Sequence, residues 1–72
     1  MSAIHRSEGR RVILQWPDEQ RHVATCATTE AARQAALWLD RARYLNDQKR
    51  QYTAAARLIA RVEALPGFGW TA

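Results

Sequence analysis

The sequence predicts an α+β fold in which an N-terminal antiparallel β-hairpin packs on a C-terminal antiparallel pair of helices, in the order ββαα. Two observations support this prediction. Residues 10–27 contain two short runs with β-branched and aromatic residues, separated by a turn that contains proline. In residues 28–65, apolar residues recur at intervals of three and four, which is the period of an amphipathic helix.

The hairpin is predicted from residues 10–16 and 21–27, joined by a turn in which Pro17 and Asp18 suit the central positions. Side chains alternate between the two faces of a strand. The face that we expect to cover the core holds Val12, Leu14, Trp16, Val23 and Thr25. The opposite face holds Arg11, Ile13, Gln15, His22, Ala24 and Cys26. Two strands alone are unstable in water, so the helices must cover this hairpin.

Residues 1–9 are mostly polar and end in the turn-like Ser7-Glu8-Gly9. They indicate either a flexible arm, in which His5 would be mobile, or a short edge strand.

The first helix is predicted to begin at Thr28 or Thr29 and to end near Leu45. A threonine hydroxyl can accept hydrogen bonds from the free amides of a first helical turn, and Glu30 suits its positive end. The apolar stripe of this helix consists of Ala31, Ala35, Trp38, Ala42 and Leu45, widened by Leu39. The outer side consists of Arg33, Asp40, Arg41 and Arg43.

A break is predicted at Asn46-Asp47, because asparagine tolerates the left-handed conformation and aspartate can cap the next helix. The second helix then covers residues 48–65 and is stopped by Pro66-Gly67. Its apolar stripe consists of Tyr52, Ala55, Ile59 and Val62, broadened by Leu58 and Leu65. The main alternative is one unbroken helix over residues 29–65, which would be roughly 55 Å long. The remaining residues, 66–72, form an aromatic tail.

A chain of 72 residues predicts one small domain, 1–72, with little apolar area to bury. Its single cysteine cannot form an internal disulfide, so we expect the chain to gain stability as a homodimer.

A lone thiol is typical of the cytoplasm. The sequence contains no apolar run long enough to span a membrane, and we expect no membrane partner.

The sequence favours no catalytic, cofactor-binding or metal site, and we expect a protein that is not an enzyme. His22 and Cys26 lie four residues apart on one predicted strand, about 13 Å from each other. That distance exceeds the hydrogen-bond reach that a thiolate–imidazole pair needs. The carboxylates are dispersed, and no glycine-rich phosphate loop is present.

Aromatic and arginine residues indicate protein binding, since both are enriched at interface hot spots. We expect a small non-catalytic regulator or inhibitor, of the accessory type that phages and mobile elements encode, that sterically occupies a host or cognate protein. The expected partner-binding residues are Tyr44, Arg50, Arg57, Arg61, Phe68 and Trp70. For Phe68 and Trp70 the alternative is that they fold back over the hairpin and complete the core.

The net charge of +4 leaves a second hypothesis, a small basic nucleic-acid-binding protein similar to a transcriptional regulator. Its phosphate contacts would be Arg6, Arg10, Arg11, Arg57 and Arg61. The strand pair followed by residues 28–36 (TTEAARQAA) resembles AP2-like and integrase arm-type DNA-binding domains. Those domains place an alanine-rich helix behind a small sheet and contact DNA with the outer face of that sheet. This sequence departs from the pattern, because Ile13, Ala24 and Cys26 occupy the predicted outer face.

Overall fold

In the computed structural model, which describes residues 3–71, the chain forms a four-stranded antiparallel sheet and two helices. The elements are β1 (Ile4–Glu8), β2 (Arg11–Gln15), β3 (Gln20–Thr25), α1 (Thr29–Asp47), α2 (Tyr52–Glu63) and β4 (Gly69–Trp70). The strands lie in the order β1-β2-β3-β4, α1 packs on β1 and β2, and α2 packs on α1. This architecture agrees with the predicted α+β class and ββαα order, and adds one strand at each edge of the sheet.

The N-terminal segment is an edge strand. β1 pairs with β2 from Ile4 opposite Gln15 to Glu8 opposite Arg11. Gly9 closes the turn at a φ of 62°, a left-handed conformation that glycine adopts without steric cost. His5 is held by Asp40 of α1, so the expectations of a mobile His5 and of an outward-facing Asp40 were wrong.

A β-bulge at Val23 reverses the predicted faces of the residues that follow it in β3. Val12 pairs with Ala24, but the next residue, Ile13, pairs with His22, so Val23 is the extra residue of the bulge. A shift of one residue moves every later side chain to the other face. Ala24 and Cys26 therefore lie in the core, whereas Thr25 is exposed, and our assignment of these residues to faces was wrong.

The core between the sheet and the helices is built from small side chains. Its α1 face consists of Ala31, Ala32, Ala35, Ala36, Leu39 and Ala42, all buried. Val12 and Val62 are the largest side chains that are fully buried. Because alanine lets α1 approach the sheet closely, most of the larger apolar side chains other than Leu39 lie at the margin. Those that pack against the core while only partly buried are Val23, Trp38, Ile59, Leu65 and Phe68.

Thr28 caps α1, since its hydroxyl accepts a hydrogen bond of 3.0 Å from the backbone N–H of Ala31. The helical hairpin is present, but its turn lies at residues 48–51 and not at Asn46-Asp47, which continues α1. Arg50 makes the reversal with a φ of 53°, so it precedes α2. The second helix is accordingly shorter than predicted, and Tyr52 on its predicted stripe is 60% exposed.

The C-terminal segment returns to the sheet through Gly67. A β-carbon at Gly67 would lie 2.5 Å from that of Ala27, and its φ is 67°. The backbone N–H of Ala27 donates to the carbonyl of Pro66 at 2.9 Å, which holds this turn against the end of β3. β4 then pairs with β3, with Trp70 opposite Ala24.

Candidate functional site: a groove between the helices

The two helices form an open groove that no described strand residue lines. We call it the arginine groove, and its lining consists of Trp38, Arg41, Leu45, Ala54, Arg57, Leu58 and Arg61. Trp38, Leu45 and Leu58 are partly buried and form the floor, whereas the three arginines and Ala54 are exposed and form the rim.

Helical periodicity explains why these residues meet. On α1 the lining residues Trp38, Arg41 and Leu45 are spaced by three and four, so they lie on one side of the helix. On α2 the spacing from Ala54 to Leu58 is four and from Leu58 to Arg61 is three. Since the helices are antiparallel neighbours, the two stripes face a common space.

The groove is positively charged, and no carboxylate lies among its described lining residues. The ion pairs within residues 3–71 involve His5, Arg6, Arg11 and Arg43, so Arg41, Arg57 and Arg61 keep their charge uncompensated by a carboxylate. The guanidinium carbon of Arg61 lies 5.0 Å from the centre of the Trp38 ring, within the range of a cation–π contact.

The predicted partner-binding residues do not form one surface. Arg57 and Arg61 line the arginine groove, and Tyr44 is next to it through Arg41, whose guanidinium lies 5.7 Å from the tyrosine ring. Arg50 lies in the interhelical turn, so its predicted place within the second helix was wrong.

Phe68 and Trp70 lie elsewhere, at the edge of the sheet. Phe68 packs against the core, and the Trp70 ring meets it edge-on with 4.9 Å between ring centres. The indole N–H of Trp70 donates to Glu63 at 2.7 Å, although the residue remains 49% exposed. Phe68 thus follows the alternative in which the tail completes the core.

Sequence reasoning missed Trp38, Arg41, Leu45 and Leu58 as groove residues. Trp38, Leu45 and Leu58 were assigned to core stripes, and Arg41 to an outer side. The available signal was the abundance of alanine in α1, because a helix that packs mainly through alanine leaves little room for its larger apolar residues in the same layer.

The arginines of the nucleic-acid hypothesis are split between two sides of the molecule. Arg6 and Arg11 lie on the sheet face away from the helices, whereas Arg57 and Arg61 line the arginine groove. Arg10 lies in the turn between β1 and β2.

The sheet cations are engaged within the chain. Arg6 donates to Gln15 at 3.1 Å, to Gln20 at 2.7 Å and to Glu8 at 3.1 Å. Arg11 donates to the other oxygen of Glu8 at 2.8 Å. The hydrogen bond from Arg6, aided by the charges of both arginines, lowers the pKa of the Glu8 carboxyl. A phosphate at this face would have to compete with these contacts.

Reactive side chains do not assemble in the part of the chain that the structure describes. Within residues 3–71, no group of three or more His, Cys, Asp or Glu side chains could hold a metal ion. Cys26 is buried in the core, and burial raises the pKa of its thiol. His22 lies on the other face of the sheet, with Nε2 2.9 Å from the Thr25 hydroxyl, so the prediction that it shares a face with Cys26 was wrong.

No protein-family model, curated protein or solved structure matches this chain. Neither helix, over the residues described, has the length and apolar character needed to cross a membrane.

Proposed function

We propose that the protein is a small non-catalytic regulator or inhibitor that binds another protein through the arginine groove and blocks part of its partner's surface. The single observation that supports this most strongly is Trp38, which lies partly exposed on the groove floor beneath Arg61. Tryptophan and arginine are the residues most enriched at interface hot spots, where they cluster in desolvated pockets.

The groove floor favours a protein over a nucleic acid as partner. A phosphate backbone is bound mainly by cations and gains little from aliphatic side chains. Leu45 and Leu58 are partly exposed on the floor between the arginines, where they suit apolar side chains of a protein. The sheet face, which a DNA-binding sheet would use, has its two strand arginines bonded to Glu8 and to glutamines.

The size of the chain indicates how blocking would work. A stable interface covers about 800 Å² on each partner, which is roughly a sixth of the 4926 Å² surface of this chain. Such a contact would extend beyond the groove to the exposed Tyr44. The remainder of the molecule would then stand over the partner's surface and exclude other ligands.

The test is affinity capture from the cells that encode the protein, with and without nuclease. The Arg57→Glu/Arg61→Glu variant removes positive charge from the groove. The matched control, Arg10→Glu/Arg33→Glu, makes the same change in net charge at exposed positions outside it.

A protein retained by the natural chain and by the control, lost with the groove variant and insensitive to nuclease, supports the proposal. Retention that disappears with nuclease, or is equal for both variants, overturns it. Circular dichroism establishes that both variants are folded.

A further inference from the structure

We propose that the partner contributes an amphipathic helix with acidic residues on both sides of its apolar stripe, which docks in the arginine groove as a third helix beside α1 and α2. This inference rests on the proposed protein-binding function and adds the chemistry of the bound segment.

The dimensions of the groove suit a helix. Trp38 and Leu45 lie seven residues apart on α1, which is about 10 Å along the helix axis. Ala54 and Arg61 span the same length on α2. A docked helix presents its apolar side chains at positions i, i+4 and i+7, and these cover the same distance. Two turns of a partner helix therefore fill the floor formed by Trp38, Leu45 and Leu58.

The charges of the groove indicate which side chains are favourable at the flanking positions of the docked helix. Arg41 stands on the α1 side of the floor and Arg57 on the α2 side, whereas Arg61 extends from α2 over the Trp38 ring of α1. A helix lying between them has its flanking positions next to cations on both sides. Glutamate or aspartate at those positions would complete ion pairs that the described part of this chain does not supply.

A second copy of the chain does not provide such a helix. Of its seven acidic residues, four have partners within the chain: Glu8, Asp40, Asp47 and Glu63. The other three are Asp18 and Glu19, which lie in the β2–β3 turn, and Glu30, which lies in the first turn of α1. No helix face of the described chain therefore combines an apolar stripe with acidic flanks, so a different protein is the proposed source of the helix.

The test measures binding of labelled synthetic peptides by fluorescence anisotropy. The probe is a helix of about three turns with leucine at i, i+4 and i+7 and glutamate at the flanking positions. One comparison peptide has the same composition in scrambled order, and another has lysine in place of glutamate. A labelled DNA duplex is a further comparison. The proteins are the natural chain, Arg57→Glu/Arg61→Glu and the matched Arg10→Glu/Arg33→Glu.

We expect the patterned acidic peptide to bind the natural chain, and the groove variant to weaken binding by about tenfold because two attractions become repulsions. The control variant should change the affinity by less than about twofold. Equal binding of the scrambled or the lysine peptide overturns the inference. If the DNA duplex binds the natural chain and this binding is lost with the groove variant, the inference is also overturned.

The two proposals fail separately. If affinity capture identifies a protein that depends on Arg57 and Arg61, but the patterned acidic peptide does not bind, the proposed function stands and the acidic-helix inference is overturned. If capture identifies no such protein, the proposed function fails whatever the peptide does.

Discussion

Asp40 of α1 accepts two hydrogen bonds from His5 of β1 at the same oxygen, Oδ1. The backbone N–H of His5 lies 2.7 Å from it, and the ring Nδ1 lies at the same distance. Because an ionised carboxylate only accepts, the ring nitrogen donates here. An edge strand exposes backbone groups that other chains can pair with. Asp40 thus covers part of the β1 edge and ties that strand to α1.

Asp40→Ala should therefore destabilise the protein by about 1–3 kcal/mol, since the half-buried N–H of His5 loses its acceptor. Chemical denaturation followed by circular dichroism measures this change. Asp47→Ala is the matched control, because the Asp47 carboxylate makes exposed contacts, at 3.6 Å from Arg43 and 3.0 Å from the side-chain amide of Asn46. Its removal should cost less than about 1 kcal/mol. Equal effects of the two substitutions would show that Asp40 does not hold the edge strand.

Gly67→Ala should destabilise the fold more than Gly9→Ala. Both glycines have a positive φ, so each substitution costs about 1–2 kcal/mol for the left-handed conformation. At Gly9 no atom of residues 3–71 lies within 4 Å of an added β-carbon, whereas at Gly67 it would lie 2.7 Å from the backbone nitrogen of Ala27. The difference between the two unfolding free energies measures the steric contribution alone. If the two variants are equally stable, the close packing of the C-terminal turn on Ala27 is refuted.

The ionised carboxylate of Glu8 should contribute less to the free energy of unfolding in acid than at neutral pH. Its folded-state pKa is lowered, first by the hydrogen bond from Arg6, so it stabilises the fold above its unfolded-state pKa. That contribution declines as the pH falls through the folded-state pKa. The stability of the natural chain relative to Glu8→Gln should thus be greatest near neutral pH and should shrink below about pH 4. A difference that stays constant from neutral to acid pH contradicts this account.

The homodimer remains a prediction, and its physical basis is the small core. Within residues 3–71 the largest fully buried side chains are those of Val12 and Val62, and Ile4, Leu37 and Tyr52 are each more than half exposed. If association stabilises the folded chain, Tm should rise with protein concentration, and light scattering should give twice the 8.2 kDa mass. A Tm independent of concentration and a monomer mass would exclude the homodimer.

Local patterns predicted the parts of the fold that depend on neighbouring residues. Thr28 caps α1, and the helical spacing of Ala31, Ala35 and Ala42 marks part of its buried face. The bulge at Val23 could not be predicted this way, because it depends on how β2 and β3 pair, and it exchanged the faces of Ala24 and Thr25. The positive φ of Arg50 is likewise uncommon for a residue other than glycine.

The candidate site was predictable only in part for a related reason. Arg57 and Arg61 share one face of α2, which periodicity shows. The groove also needs Trp38 and Leu45 at the margin of the core, and their position depends on how closely the alanines let α1 approach the sheet. That approach is a property of the packed molecule and not of either helix.

The central claim is that the arginine groove binds a protein, and photo-crosslinking in cells tests it most directly. A benzophenone side chain replaces Ala54, which is exposed on the groove rim, and in a parallel chain it replaces Gln34, which is exposed on α1 outside the groove. We predict a protein adduct from position 54 that is missing from position 34 and is lost with Arg57→Glu/Arg61→Glu. Adducts with nucleic acid alone, or equal protein adducts from both positions, would contradict the claim.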